Sequence, residues 1–135
     1  MSLGEIPAAL AALAEGRPIV VVDNESRENE GDIILAAQYA TQQNLAFMIR
    51  HTSGFICAPM TNELANRLEL PHMVVNNEDP LGTAYTVTVD AADRSSTGIS
   101  AGERAHTLRV LSDMDSTPAS LTRPGHMIPL RSVDG

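Results

Sequence analysis

The sequence predicts one mixed α/β domain over residues 1–135, with helices packed on a sheet whose strands run in both directions. Short apolar runs typical of strands alternate with segments of helical periodicity, and this intermingling favours that fold class. A length of 135 residues suits one compact domain rather than two. Hydrophobic residues make up 43% of the chain, but only two Phe, two Tyr and no Trp are present, so the predicted core is aliphatic.

The N-terminal third predicts one helix and two strands. The helix is indicated by an apolar face and a following glycine cap, namely Ile6, Leu10, Leu13 and Gly16. Residues 18–22 form an unbroken apolar run, which predicts a buried strand. Residues 33–36 predict the second strand, and the polar residues between the two runs predict a loop.

The remainder of the chain predicts three further helices and three further strands. Each helix follows a residue whose side chain can cap it, namely Thr41, Thr61 and Ser100, the last in a capping box with Glu103. Strands are predicted at residues 55–58, 85–90 and 127–131, the second of them from strict alternation. Residues 122–126, Thr-Arg-Pro-Gly-His, predict a turn before the last strand.

Charge and cysteine content narrow the possible partners. The net charge is −8 and all nine basic residues are Arg, which argues against nucleic acid or an anionic membrane as the main partner. Cys57 is the single cysteine, so no intramolecular disulfide can form, which fits a cytoplasmic protein. We find no signal-peptide pattern and no apolar run of membrane-spanning length, so neither a membrane nor export is predicted.

The most informative segment is an acidic loop at residues 23–32, Asp-Asn-Glu-Ser-Arg-Glu-Asn-Glu-Gly-Asp. It holds five carboxylates and one Arg between two predicted strands. Closely spaced carboxylates suit a hard cation such as Mg²⁺, and their crowding separates their pKa values so that one can serve as a base. The alternative is a solvated acidic turn, and composition alone leaves both interpretations open.

This ten-residue pattern resembles the signature of the 3,4-dihydroxy-2-butanone 4-phosphate synthase family. The resemblance continues in order through residues 50–54 (Arg-His-Thr-Ser-Gly), 76–77 (Asn-Asn), 82–89 (Gly-Thr-Ala-Tyr-Thr-Val-Thr-Val), 97–101 (Thr-Gly-Ile-Ser-Ala) and 123–131 (Arg-Pro-Gly-His-Met-Ile-Pro-Leu-Arg). It implies that family's mixed α/β fold. It also implies a lyase that converts ribulose 5-phosphate to 3,4-dihydroxy-2-butanone 4-phosphate and formate in riboflavin biosynthesis, with Mg²⁺ or Mn²⁺.

The resemblance also assigns roles within the acidic loop. Glu28 is expected to ligate the metal and to take part in catalysis, and Glu30 to reach the metal through a water molecule. Arg27 and Asp32 are expected to contact the sugar phosphate, with Asp32 also catalytic. Asp23 is expected to bind substrate hydroxyls.

Three further residues take roles from the same resemblance. Cys57 is placed near the substrate, Thr97 at its phosphate, and His126 in catalysis, with Thr97 and His126 supplied across a homodimer interface. Each also has a plain structural interpretation. Cys57 alone suits a small buried apolar residue, whereas Thr97 and His126 suit ordinary turn residues.

The end of the sequence predicts a continuation. Asp134 and Gly135 form a hairpin-turn signal, which calls for a partner strand. In the family, the following segment carries an Arg-x-Gly-His-Thr motif and a later Glu. We therefore expect the chain to be a C-terminally incomplete part of a longer enzyme. The alternatives are a truncated, non-catalytic dimeric remnant that binds metal or sugar phosphate, and a plain acidic α/β domain without a site.

Overall fold

The structure, a computed structural model, describes residues 3–132 and confirms a mixed fold of helices on sheets. In chain order, the strands and longer helices are α1 (Ile6–Ala14), β1 (Ile19–Val22), β2 (Gly31–Ile34), α2 (Gln42–His51), β3 (Cys57–Met60), α3 (Asn62–Arg67), β4 (Val89–Ala91), α4 (Ala101–Ser112) and β5 (Leu121–Arg131). Two short 3₁₀ turns lie at Ala37–Tyr39 and Pro118–Ser120. The hairpin-turn signal at residues 134–135 lies outside the described residues.

Among residues 3–132, the strands form two separate sheets. Strands β1 and β2 pair as an antiparallel hairpin in which Val22 lies opposite Gly31, and the acidic loop connects them. The second sheet has the order β3-β5-β4, with β3 parallel and β4 antiparallel to the central strand β5. This mixture of directions is the one that the sequence predicts.

The core lies between the three-stranded sheet and the helices α2 and α4. Its members are almost all aliphatic, as composition predicts, and include Leu45, Leu68, Leu70, Val89, Leu111 and Met127. The predicted caps form. The hydroxyls of Thr41, Thr61 and Ser100 accept bonds from the backbone N–H groups of Asn44, Leu64 and Glu103.

Strand β1 is not buried, and that prediction was wrong. Val20, Val21 and Val22 are 69%, 43% and 52% exposed within the described chain. The reason is tertiary, because the hairpin forms its own two-stranded sheet rather than a central part of the larger one. An apolar run predicts a strand, but it does not specify which layer will cover that strand.

Two predictions near β4 and β5 also differ from the structure. The predicted strand at residues 85–90 contracts to β4, while Tyr85 and Thr86 form only isolated bridges. Residues 122–126 lie within β5 and do not form a turn. Their turn-prone residues instead form a bulge, because Asp90 pairs with Thr122 while the adjacent Val89 pairs with Met127. In the described part of the chain, no helix is long and apolar enough to span a membrane.

Candidate active site

The acidic loop is held in shape by Asp23, at the end of β1. Its carboxylate accepts the backbone N–H groups of Glu28 at 2.8 Å and Glu30 at 2.7 Å. These two bonds, reinforced by the charge of Arg27, lower the pKa of Asp23 below its ordinary value. Asp23 is therefore an internal brace of the loop, in addition to any contact it makes with a ligand.

The tip of the loop presents Arg27 and Glu28 to solvent. The Arg27 Nε lies 2.9 Å from the Asp23 carboxylate, and its Nη2 lies 2.8 Å from the carboxylate of Glu28. Asn29 has a positive φ of 54°, a conformation that Asn tolerates better than most residues and that turns the chain back towards β2. This local geometry orients the Glu28 carboxylate, which is 31% exposed.

The carboxylates of this loop suit a cation that keeps most of its water. Within residues 3–132, no three His, Cys, Asp or Glu side chains gather into a closed metal cage. Mg²⁺ typically binds through one or two carboxylates, several waters and substrate oxygens rather than in such a cage. Glu28 and the exposed Glu30 offer carboxylate oxygens of the kind that such a site uses.

Asp32, on β2, exerts an electrostatic effect on Cys57, which lies on the edge strand β3 of the three-stranded sheet. Burial raises the pKa of the half-buried Cys57 thiol, and the negative charge of Asp32 raises it further. The pKa of Tyr85 is raised by its own desolvation and then by the nearby charges of Cys57, Asp79 and Glu28. The charges of Asp32 and Glu28 therefore act on Cys57 and Tyr85, residues that are far from them in sequence. A thiol with a raised pKa is a poor nucleophile, which agrees with a contact role for Cys57.

A second group surrounds Asp90, on β4. Its Oδ1 accepts the backbone N–H of His126 at 2.9 Å, and its Oδ2 lies 2.9 Å from the Nδ1 of the same residue. Asp90 is only 2% exposed, whereas the imidazole of His126 remains 38% exposed. A buried carboxylate thus holds a histidine whose ring still faces solvent.

Thr97 lies in the loop that precedes α4, and this loop packs on the same carboxylate. A Cβ placed on Gly98 would come within 2.3 Å of the Asp90 Oδ2, so only glycine permits the approach. The Glu103 side chain accepts the backbone N–H groups of Ser96 at 2.6 Å and Gly98 at 2.9 Å. The fold therefore brings Thr97 and His126 to one place through Asp90.

The two groups remain distinct within one chain. No hydrogen bond or ion pair found among residues 3–132 joins the acidic loop to the group of Thr97 and His126. The sequence alone does not indicate Asp90 or Tyr85 as site residues. One feature of the sequence could have indicated Asp90, because it is the charged residue at the end of the alternating run at residues 85–90. If that strand is buried, the Asp90 carboxylate requires a hydrogen-bonding or charged partner.

Fold and site together define a mixed α/β protein with a carboxylate-rich loop of the kind that a hydrated divalent cation uses. The sequence matches the family described as 3,4-dihydroxy-2-butanone 4-phosphate synthase over residues 7–135. The chain therefore belongs to the 3,4-dihydroxy-2-butanone 4-phosphate synthase family.

Individual relatives agree with this assignment. The chain is 56% identical over 134 residues to the riboflavin biosynthesis protein RibBA of Salinispora arenicola, an alignment that covers 99% of this chain and 32% of that protein. A crystal structure of 3,4-dihydroxy-2-butanone 4-phosphate synthase in complex with two magnesium ions matches with a TM-score of 0.96 at 50% identity. A cation-free form matches with a TM-score of 0.91 at 47% identity.

The chain is shorter than these relatives. It spans about a third of the RibBA protein and 62% of each of the two solved structures, while 98% and 99% of its own residues are covered. The match to those structures confirms the fold class predicted from the sequence.

Proposed function

We propose that this chain supplies the acidic loop and the histidine of a lyase that converts ribulose 5-phosphate to 3,4-dihydroxy-2-butanone 4-phosphate and formate in riboflavin biosynthesis. The observation that carries the proposal is the braced acidic loop. Asp23 fixes the backbone N–H groups of Glu28 and Glu30, so that the backbone of Glu28 is held in place before any ligand binds. Such preorganisation is what stabilisation of a developing negative charge requires.

Each side chain has a role that its position supports. The reaction begins with proton removal beside a carbonyl and continues through loss of a hydroxyl group, so it needs groups that accept and donate protons. His126, partly exposed and fixed by Asp90, is suited to proton transfer. Arg27 and Asp32 contact the sugar phosphate, and Thr97 contacts its phosphate group. Cys57 lines the substrate beside Asp32.

The cation is Mg²⁺ or Mn²⁺, held by Glu28 with Glu30 acting through a water molecule. When bound, it supplies positive charge beside the substrate oxygens as negative charge develops on them. The protein residues position it. The Glu28 carboxylate forms an ion pair with the Arg27 guanidinium, 2.8 Å away. To bind the cation, it must either break this ion pair or contact both positive groups at once.

Formate release measures this function directly. Purified chain is mixed with ribulose 5-phosphate, with Mg²⁺ or with EDTA, and formate is followed by proton NMR. Formate that appears with Mg²⁺ and stops with EDTA supports the lyase. A folded chain that binds ribulose 5-phosphate by calorimetry but releases no formate would refute catalysis by these residues alone. That outcome would instead favour the non-catalytic binding remnant.

A substitution at the metal ligand tests the role of the loop. Glu28→Gln keeps the side-chain shape but removes the charge, so formate release should fall at least about 100-fold while the far-UV CD spectrum stays unchanged. Glu25→Gln is the matched control, because Glu25 is an exposed carboxylate in the same loop without an assigned role. Unchanged turnover in Glu28→Gln would contradict the metal assignment.

We further propose a cytoplasmic homodimer in which Thr97 and His126 of one chain complete the loop site of the other. The separation of the two groups within one chain supports this arrangement. Glu28→Gln and His126→Ala should each be inactive, yet mixed dimers contain one intact site. An equal mixture should therefore recover about a quarter of wild-type activity. Mixtures that remain inactive after subunit exchange would refute sharing between chains.

A further inference from the structure

Both oxygens of the Asp90 carboxylate are engaged by one residue, His126. Asp90 is nearly fully buried, and its two oxygens bind separate groups of His126, the backbone N–H and the ring Nδ1, each at 2.9 Å. A buried charge is stable only when it is paired and hydrogen-bonded. These two bonds therefore compensate for the burial of the Asp90 carboxylate, and they also fix the position of His126. Because an ionised carboxylate can only accept, the proton of the neutral imidazole must reside on Nδ1.

Two more groups close around the same carboxylate. The Arg94 Nε lies 3.9 Å from the Asp90 Oδ2, while its Nη1 donates to the hydroxyl of Thr122 at 2.8 Å. Gly98, in the same loop before α4, approaches so closely that a methyl group there would overlap the same oxygen. Little room therefore remains for the Asp90 carboxylate to rotate, and the ring of His126 is held by a fixed partner.

We propose that Asp90 is a positioning residue for catalysis, which holds His126 in the tautomer protonated on Nδ1 and sets the Thr97 loop at a fixed place beside it. The Nε2 of this partly exposed ring then carries the free lone pair and exchanges protons with the substrate. This inference rests on the proposed role of His126 in the lyase reaction. It adds the residue that sets the protonation pattern of that histidine and couples it to the loop expected at the phosphate.

Nitrogen NMR of the imidazole tests the tautomer without any substrate. In ¹⁵N-labelled protein at a pH where the ring is neutral, His126 should show a protonated Nδ1 and an unprotonated Nε2, its signals assigned by their loss in His126→Ala. The opposite pattern in the wild-type chain would overturn the proposal, whatever any variant does.

The variant Asp90→Asn makes a sharper prediction. The backbone N–H of His126 still requires an acceptor, so the new amide oxygen should occupy the position of Oδ1 and the NH₂ group that of Oδ2. The NH₂ group would then donate to Nδ1 and drive the proton to Nε2, the reversal that the same substitution produces behind the histidine of serine proteases. In an active protein, formate release should fall about 10²–10⁴-fold, the range for loss of an acid–base group.

Asp93→Asn is the matched control. Asp93 lies 2.7 Å from the Nε2 of His106 in a similar pair, but its side chain is 74% exposed and it lies outside the proposed site. That variant should leave the His126 signals and formate release unchanged.

Reversal of the tautomer in Asp90→Asn with full activity would refute the positioning role. If Asp90→Asn does not fold, Gly98→Ala displaces the same carboxylate and should lower activity by a similar factor, and full activity there would equally refute it. If the wild type releases no formate, the lyase proposal fails while the tautomer measurement still decides the Asp90–His126 arrangement.

Discussion

Replacement of Gly125 by alanine should destabilise the fold strongly, because β4 and β5 touch there backbone to backbone. A Cβ at this position would lie 2.0 Å from the carbonyl carbon of Val89 and 2.2 Å from the amide nitrogen of Asp90. Neither atom can swing aside as a flexible side chain would. The two strands would have to separate by more than about 1 Å to restore ordinary van der Waals contact.

The magnitude follows from what that separation breaks. Overpacking of a well-packed interior typically costs about 1–3 kcal/mol. The bond from the His126 N–H to the Asp90 carboxylate, 2.9 Å long, lies directly beside the clash and is charge-assisted, so its loss adds about 1.5–3 kcal/mol. We therefore expect Gly125→Ala to lower the free energy of unfolding by roughly 2.5–6 kcal/mol, a large part of the 5–15 kcal/mol typical of a domain.

Urea unfolding followed by far-UV CD measures this difference, at one protein concentration for all variants. Gly82→Ala is the control, because Gly82 has a φ of +70° but nothing within 4 Å of its added Cβ. That variant carries only the left-handed backbone penalty, roughly 1–2 kcal/mol. A Gly125→Ala loss no larger than that of Gly82→Ala would refute the claim that close strand approach governs this site.

Three smaller predictions concern the thiol, a buried hydroxyl and the loop brace. Iodoacetamide should modify Cys57 more slowly than free cysteine. The substitution Asp32→Asn should speed this reaction, because the negative charge of Asp32 helps to raise the pKa of the Cys57 thiol. An unchanged rate in Asp32→Asn would contradict the electrostatic effect of Asp32 on Cys57. Thr107→Val should lower the free energy of unfolding, measured in urea, by about 1–3 kcal/mol. It removes the hydroxyl that accepts the backbone N–H of Ala91 at 3.0 Å. An unchanged free energy of unfolding would mean that this hydrogen bond makes no net contribution to stability. The folded-state pKa of Asp23 lies below its ordinary value of 3.8, so its stabilisation is complete above that pH and is lost as the pH falls towards the lowered value. The stability gap between wild type and Asp23→Asn should therefore be constant near neutral pH and shrink below about pH 3.8, and a gap that persists in acid would contradict this.

The sequence by itself determined the fold class, the helix starts and the acidic loop. These features depend on local interactions, in which partners are a few residues apart. Thr41, Thr61 and Ser100 each cap a helix through the N–H three residues ahead, and Asp23 braces its loop through N–H groups five and seven residues ahead. Residue type and short spacing are sufficient to predict such contacts.

Only the tertiary structure decided which residues meet across the chain. Asp90 and His126 are separated by 36 positions, and their contact depends on a bulge between β4 and β5 that no periodicity indicates. The same bulge turned a predicted turn at residues 122–126 into part of a strand. The exposure of β1 was decided in the same way, because an apolar run specifies a strand but not the layer that covers it. Burial and long-range pairing are properties of the whole packed chain, and local sequence constrains them only weakly.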